Sequence, residues 1–258
     1  MPALQTVEVA VSFGGIRALD GVDLEAEMGQ VTALIGPNGA GKTTLFNVIT
    51  GLQNPNRGKV LLDGDDITSL AVHRRARRGL ARTFQRLEIF GSLTVADNVR
   101  VAVELRRRWS RTRFDVDEAV RELLERTGIS RVADQRAETL STGVARLTEL
   151  ARALAASPRI LLLDEPGSGL DSAESEAFGQ LLRDLAADGL GVLMVEHDME
   201  LVMGVCDRIH VLDFGVKIAE GTPEEIRSNP RVQAAYLGAD EEAAPAEDLS
   251  GLTVAAET

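Results

Sequence analysis

The chain has 258 residues, 44% of them hydrophobic, and a formal net charge of -12. That length buries a substantial core and suits one large α/β domain, or one domain carrying an inserted lobe. No apolar run approaches a membrane span, the N-terminus lacks the basic and apolar regions of a secretory signal, and the acidic balance argues against nucleic acid as a primary partner.

The first 35 residues alternate in the manner of strands, with turn signals at Gly14-Gly15 and Gly29. Val31-Thr32-Ala33-Leu34-Ile35 is a short apolar strand, and it runs into Gly36-Pro37-Asn38-Gly39-Ala40-Gly41-Lys42-Thr43-Thr44. This stretch fits the phosphate-binding pattern G-x-x-x-x-G-K-[ST] in its required setting, after a strand and before a helix that continues to Thr50. Glycines let the backbone curl so that N–H groups converge, and the helix N-terminus adds partial positive charge. Lys42 is predicted to reach the β- and γ-phosphates, and the Thr43 hydroxyl to ligate Mg²⁺. Such a pattern arises by chance in roughly one chain of this length in a hundred, so the chain is expected to bind a nucleoside triphosphate.

Another strand is expected at Lys59 to Leu62, a basic helix near Leu70 to Arg78, and a short strand at Leu80 to Phe84. Residues from about Arg86 to Ser157 read as mostly helical, with breaks near Arg111-Thr112-Arg113 and at Gly128. Arginines cluster at 74, 75, 77, 78, 82 and 86, and again at 100, 106–108, 111 and 113. Two solvated helix faces are the expectation here, with contact to anionic lipid headgroups the second reading. Leu140-Ser141-Thr142-Gly143 precedes an amphipathic helix, Val144 to Ala155. Ser141 is either a simple helix cap or, with the Gly143 N–H, a second phosphate-binding surface.

Ile160-Leu161-Leu162-Leu163-Asp164-Glu165 is an apolar strand ending in two acids. Asp164 is placed to hold the cation shared with Thr43, and Glu165 to orient or deprotonate the attacking water. Strand and helix then alternate through Ala173–Ala187, Gly191–Val195, Met199–Val205 and Ile209–Leu212, so two α/β halves flank a helical insert. His197 follows an apolar strand, while His73 and His210 read as structural or exposed. The lone Cys206 reads as packing, and a chain with one cysteine suits a reducing cytoplasm. From Ala239 to Thr258 there are six acids and no Lys or Arg, the composition of a disordered tail.

These elements together resemble the ATP-binding-cassette family, the ATPase subunits of ABC transporters. The matching words run in family order: Gly36–Thr44, Gln85, Leu140–Gly143, Asp164-Glu165, Ser168-Gly169-Leu170-Asp171 and Glu196-His197-Asp198. The resemblance covers about residues 4 to 238. It implies an α/β P-loop NTPase core with an N-terminal antiparallel β subdomain and a helical subdomain inserted at about 86–157. Phe13 would stack on adenine. Gln85 would contact Mg²⁺ and the lytic water, and His197 would hold the γ-phosphate. Ser141 and Gly143 would grip the nucleotide bound by an opposing subunit, with Asp171 crossing the same interface.

Gly79-Leu80-Ala81-Arg82-Thr83-Phe84-Gln85, Ile89-Phe90, Leu93 to Val99, Phe13-Gly14-Gly15, Phe46-Asn47 and Ala235-Tyr236-Leu237-Gly238 are similar to the larger ATPase subunit of branched-chain amino acid uptake systems. Importers of urea and other amides are similar to that group. The resemblance implies ATP and Mg²⁺ as cofactors and a second cassette, identical or not, as partner. It also implies membrane permease subunits, an extracytoplasmic solute-binding protein, and a cytoplasmic place on the inner face of the membrane. Leu87, Ile89 and Phe90, just after Gln85, read equally as core or as apolar groups for a permease helix. Two departures stand out: Val144 replaces the usual Gln after the signature glycine, and the helix begins with a single basic residue, Arg146. Val144 is expected to slow the composite site that uses this signature.

Overall fold

A computed structural model describes residues 2–110 and 113–242 of the chain. The chain opens with β1 (Leu4–Phe13), β2 (Ile16–Ala26) and β3 (Val31–Ile35), followed by α1 (Lys42–Thr50). Next come β4 (Arg57–Leu62), β5 (Asp65–Asp66), α2 (Val72–Arg77) and β6 (Leu80–Arg82). Three longer helices follow, α3 (Val95–Trp109), α4 (Val116–Arg126) and α5 (Thr142–Leu154). The second α/β half holds β7 (Ile160–Asp164), α6 (Ser172–Ala187), β8 (Gly191–Val195) and α7 (Met199–Val205). The chain then runs through β9 (Arg208–Asp213), β10 (Val216–Gly221), α8 (Pro223–Arg227) and α9 (Pro230–Glu242).

Among the described residues the strands form two sheets. One is antiparallel, in the order β2-β1-β4-β5; the other runs β10-β9-β3-β8-β7-β6, parallel except for the β9–β10 hairpin. β3, β7 and β8 are buried at every position, as strands covered on both faces must be. Their side chains alternate between two cores. Leu34, Leu162 and Leu193 join Leu45, Phe46 and Ile49 of α1 between the two sheets. Ala33, Leu161 and Val192 face Phe178 and Leu182 of α6 and Val202 of α7 on the opposite side.

Val95, Val99, Val103, Val120 and Leu124 make a third cluster, where α3, α4 and α5 pack together. Residues 86–94 are not helical, so the helical region begins about nine residues later than its composition suggests. The break expected near residues 111–113 falls partly on residues 111–112, outside the described residues. α9 extends to Glu242, into the segment read as a disordered tail; residues 243–258 lie outside the described residues.

Two arginines assigned to solvated faces are in fact buried. Arg75 is 1% exposed and donates to the carbonyls of Val48 and Ile49, the last turn of α1, and to Thr68 and Leu70. It adds donors to the last carbonyls of α1, where intrahelical partners run out. The Arg82 side chain is 7% exposed, paired with Asp164. Arg106 is also drawn inward, its guanidinium lying 4.6 Å from the Phe114 ring centroid. A composition count sees only charge, and a guanidinium can be taken out of water when carbonyls or a carboxylate meet its donors.

Candidate nucleotide site

β3 delivers the phosphate loop to the edge between the two sheets. Gly36 has φ 148°, and a Cβ there would stand 2.0 Å from the Leu212 carbonyl oxygen, so no side chain fits. The loop ends at Gly41, the N-cap of α1, whose left-handed φ of 103° is accompanied by no side-chain cap. Thr94, Asp115, Ser141, Asp171, Asp198 and Thr222 each cap the helix that follows them. The first N–H groups of α1 therefore lack the acceptor that these other helices supply for themselves, which is the arrangement a phosphate fits.

Lys42 Nζ donates to the carbonyls of Gly36 at 2.6 Å and Pro37 at 2.9 Å. Burial holds its pKa below the ordinary lysine value, opposed by the negative charges of Glu165 and Asp164. A nucleotide reaching Lys42 exchanges two neutral carbonyls for anionic phosphate oxygens, a stronger partner.

Asp164 ends β7 and is buried, with Arg82 Nη2 donating to its Oδ2 at 2.7 Å. Glu165 follows in a left-handed conformation, φ 48°, a cost that non-glycine residues carry mainly where the surroundings over-determine them. Its N–H donates to the Val195 carbonyl at 2.8 Å, and its Oε2 accepts from Gln85 Nε2 at 2.7 Å. His197 Nδ1 lies 4.0 Å from the same Oε2. Gln85 and His197, distant in sequence, thus both approach the Glu165 carboxylate, and His197 Nδ1 stands closer still, at 3.4 Å, to Glu196 Oε1. Glu165 is half-buried and His197 largely exposed, so a solvent molecule and a phosphate both have access.

Glu196, to which the sequence pattern assigns no role, links two turns of the site. It is 1% exposed and accepts from the N–H groups of Gly167, His197 and Asp198 at 2.9, 2.8 and 3.2 Å. It therefore ties the turn after Glu165 to the turn carrying His197. An acid ending a fully apolar strand was the available signal.

Ser141 caps α5, its Oγ accepting from the Val144 N–H at 3.4 Å, and it is exposed. Asp171 caps α6 in a reciprocal capping box with Glu174. That glutamate also covers Gly143, where a Cβ would meet its Oε1 at 2.4 Å. The Leu140–Gly143 turn and the Asp171 turn are thereby packed against each other within the chain. Phe13 is 49% exposed, at the tip of the β1–β2 hairpin.

α5 is also clamped to the segment after Gln85. Arg146 Nη2 donates to the Gln85 carbonyl at 3.0 Å, and Glu149 accepts from the Glu88 N–H at 3.2 Å. Arg152 donates to the Glu88 carbonyl and lies 4.7 Å from the Phe90 ring centroid. Burial pushes the Glu149 carboxyl above the usual range. The lone basic residue near the start of this helix thus holds the Gln85 loop. Phe90 is exposed while Leu87 and Ile89 are half-buried, so none of the three belongs to the fully buried core.

His210 is fully buried, its Nε2 3.0 Å from the Glu25 carbonyl, and His73 is exposed; neither approaches this site. Cys206 is buried, its thiol pushed up by burial, which suits packing.

A glycine loop feeding an uncapped helix, with paired acids at the end of a parallel strand one removed in the same sheet, defines a P-loop nucleoside triphosphatase. The family described as ABC transporter matches residues 19–168, and one described as branched-chain amino acid ATP-binding cassette transporter matches residues 216–242. The high-affinity branched-chain amino acid transport ATP-binding protein BraF of Pseudomonas aeruginosa is 40% identical over 92% of this chain and 98% of its own. The lipopolysaccharide export system ATP-binding protein LptB of Haemophilus influenzae is 37% identical, over 92% and 98%.

An ATP-binding cassette of an ABC transporter solved in its ADP conformation superposes with TM-score 0.82 at 31% identity, covering 92% of this chain and 99% of that one. A dimeric post-hydrolysis cassette bound to ADP and Pi gives 0.74 at 28%, over 85% and 98%. The chain belongs to the ABC transporter family, and it is an ATP-binding, ATP-hydrolysing cassette. Among the described residues no helix is long and apolar enough to cross a membrane.

Proposed function

We propose that this cassette powers an importer of branched-chain amino acids. The observation that carries the reading is the match of residues 216–242 to the branched-chain family, beside 40% identity to BraF. In this reading the cassette occupies residues 4–238, with a helical subdomain at about 86–157. It docks on membrane permease subunits at the inner face of the membrane, and a solute-binding protein delivers the solute from outside. The exposed Phe90 and half-buried Leu87 and Ile89, held by α5, support an apolar docking place for a permease helix.

Phe13 stacks on the base, the 36–44 loop takes the phosphates, and Lys42 pairs with the outer ones. Thr43, in the first turn of α1, and Asp164 carry the oxygen donors that Mg²⁺ prefers, with Gln85 adding a neutral one. The cation supplies charge neutralisation on the phosphates when bound. Glu165, held by Gln85, accepts the proton of the attacking water, and His197 donates to the γ-phosphate. Ser141, Gly143 and Asp171 act across the dimer, on the nucleotide held by the opposing loop. Closure follows because ligands from two subunits meet only with ATP between them.

Glu165→Gln is expected to keep ATP binding, to lose hydrolysis by about a hundredfold or more, and to elute as an ATP-dependent dimer in size-exclusion chromatography. Turnover at the wild-type rate would remove Glu165 as the base. The second reading, an exporter cassette, rests on the 37% identity to LptB. Vesicles carrying the assembled transporter decide between them: uptake of labelled leucine supports the importer, uptake of urea redirects the substrate, and substrate-independent ATPase with no uptake favours export.

A further inference from the structure

Arg82 stands at the end of β6, on the approach to Gln85. Its Nη2 donates to Asp164 Oδ2 at 2.7 Å, and its Nη1 to Asn47 Oδ1 at 2.7 Å, with Thr50 Oγ1 at 3.4 Å. The guanidinium lies 5.5 Å from the Phe46 ring centroid and 4.9 Å from that of Phe84. Arg82 and Asp164 side chains are 7% and 9% exposed. One side chain therefore joins the helix that follows the phosphate loop, the strand that carries the paired acids, and the segment that leads to Gln85.

The pairing has a geometric consequence. An ionised carboxylate offers two oxygens, and a buried guanidinium fixed by two further groups holds one of them in place. Oδ2 is taken, and among the described residues no donor meets Oδ1, which remains for another cationic partner. Asn47 and the two aromatic faces keep the guanidinium from following the carboxylate if it rotates. Lysine has a single ammonium head, and it cannot meet Asn47 and Asp164 with the same fixed fork.

We propose that Arg82 is a positioning residue for the Mg²⁺–ATP site: it holds Asp164 through Oδ2, presents Oδ1 to the cation, and ties that ligand to the Gln85 loop and α1. The inference rests on Asp164 as a cation ligand. Groups that orient a metal ligand from behind commonly change metal affinity by about tenfold or more when removed. Arg82 thus makes cation binding depend on where the Gln85 loop sits, because loop and ligand share one anchor.

The test titrates the full chain with the β,γ-imido analogue of ATP, once with Mn²⁺ and once in EDTA. The ratio of the two affinities reads the metal's contribution independently of turnover. Arg82→Lys is expected to lower that ratio about tenfold, with affinity in EDTA kept within about twofold. A ratio unchanged or raised in Arg82→Lys, in protein with an intact melting transition, overturns the proposal.

Asp164→Asn is the control for the underlying reading: if it leaves the ratio unchanged, Asp164 is not the ligand. If it lowers the ratio while Arg82→Lys does not, only the Arg82 inference fails. Should Arg82→Lys not fold, Asn47→Ser withdraws the anchoring amide alone. A fall of about threefold then supports the proposal, and an unchanged ratio overturns it.

Discussion

Two helix N-termini in this molecule face the same chemical problem and solve it differently. α1 begins at Gly41 with no side-chain cap, so its first N–H groups are left for a ligand. α5 begins at Ser141, whose Oγ already accepts from the Val144 N–H. In the proposed function the first terminus is completed by phosphate within one subunit. The second already has one of its N–H groups met by its own cap, and what it offers outward is the exposed face of that cap. The difference teaches that a helix start can be capped from within or left open, and under the proposed function the capped one is the surface that meets a nucleotide only when a partner closes on it.

The largest test of the comparison falls on α1. Lys42→Ala removes a charge-assisted contact worth about 2–3 kcal/mol, so ATP affinity of the isolated chain should fall about thirty- to a hundred-and-fortyfold. Fluorescent-nucleotide titration checks this, and a change below threefold would mean that the loop amides suffice without the lysine. Ser141→Ala should leave that monomer affinity unchanged. It should instead cost about 1 kcal/mol of stability, a few degrees in melting temperature, and weaken ATP-dependent dimerisation of the Glu165→Gln protein. Loss of ATP binding in the monomer would erase the distinction between the two termini.

The smallest effect is expected at Val144, half-buried in the helical cluster beside Leu140 and Leu147. Val144→Gln adds polar contacts toward the partner's nucleotide, and steady-state ATPase of the assembled transporter should rise about twofold, against a packing loss of about 1 kcal/mol. An unchanged rate would make the valine a packing choice alone.

Much of the site was legible before the fold was known. The strand-loop-helix unit around Lys42, the acids ending β7, and the capping serine of α5 are local patterns. Their backbone geometry is set by neighbours within a few residues. Gln85, Glu165 and His197 follow β6, β7 and β8, and the sheet order brings Gln85 and His197 beside the Glu165 carboxylate, with His197 nearer to Glu196. Elements were harder where composition misleads: residues 86–94 look helical but form a loop, because Glu149 and Arg152 of α5 and Asn98 of α3 satisfy the backbone of Glu88 and Phe90 from outside.

By itself, then, the amino-acid order determined the alternating α/β plan, the phosphate loop and the family words, since each depends on short-range periodicity, turn chemistry and capping. Only the tertiary structure decided what the buried charges do. Arg82 meets an aspartate 82 positions away, Arg75 the carbonyls of a helix 26 and 27 positions earlier, and Glu196 an N–H 29 positions before it. Charge alone reads as solvated. A charge is stable inside the protein only where distant chain segments bring it donors or acceptors, and such pairings do not exist until the sheets and α1 have packed.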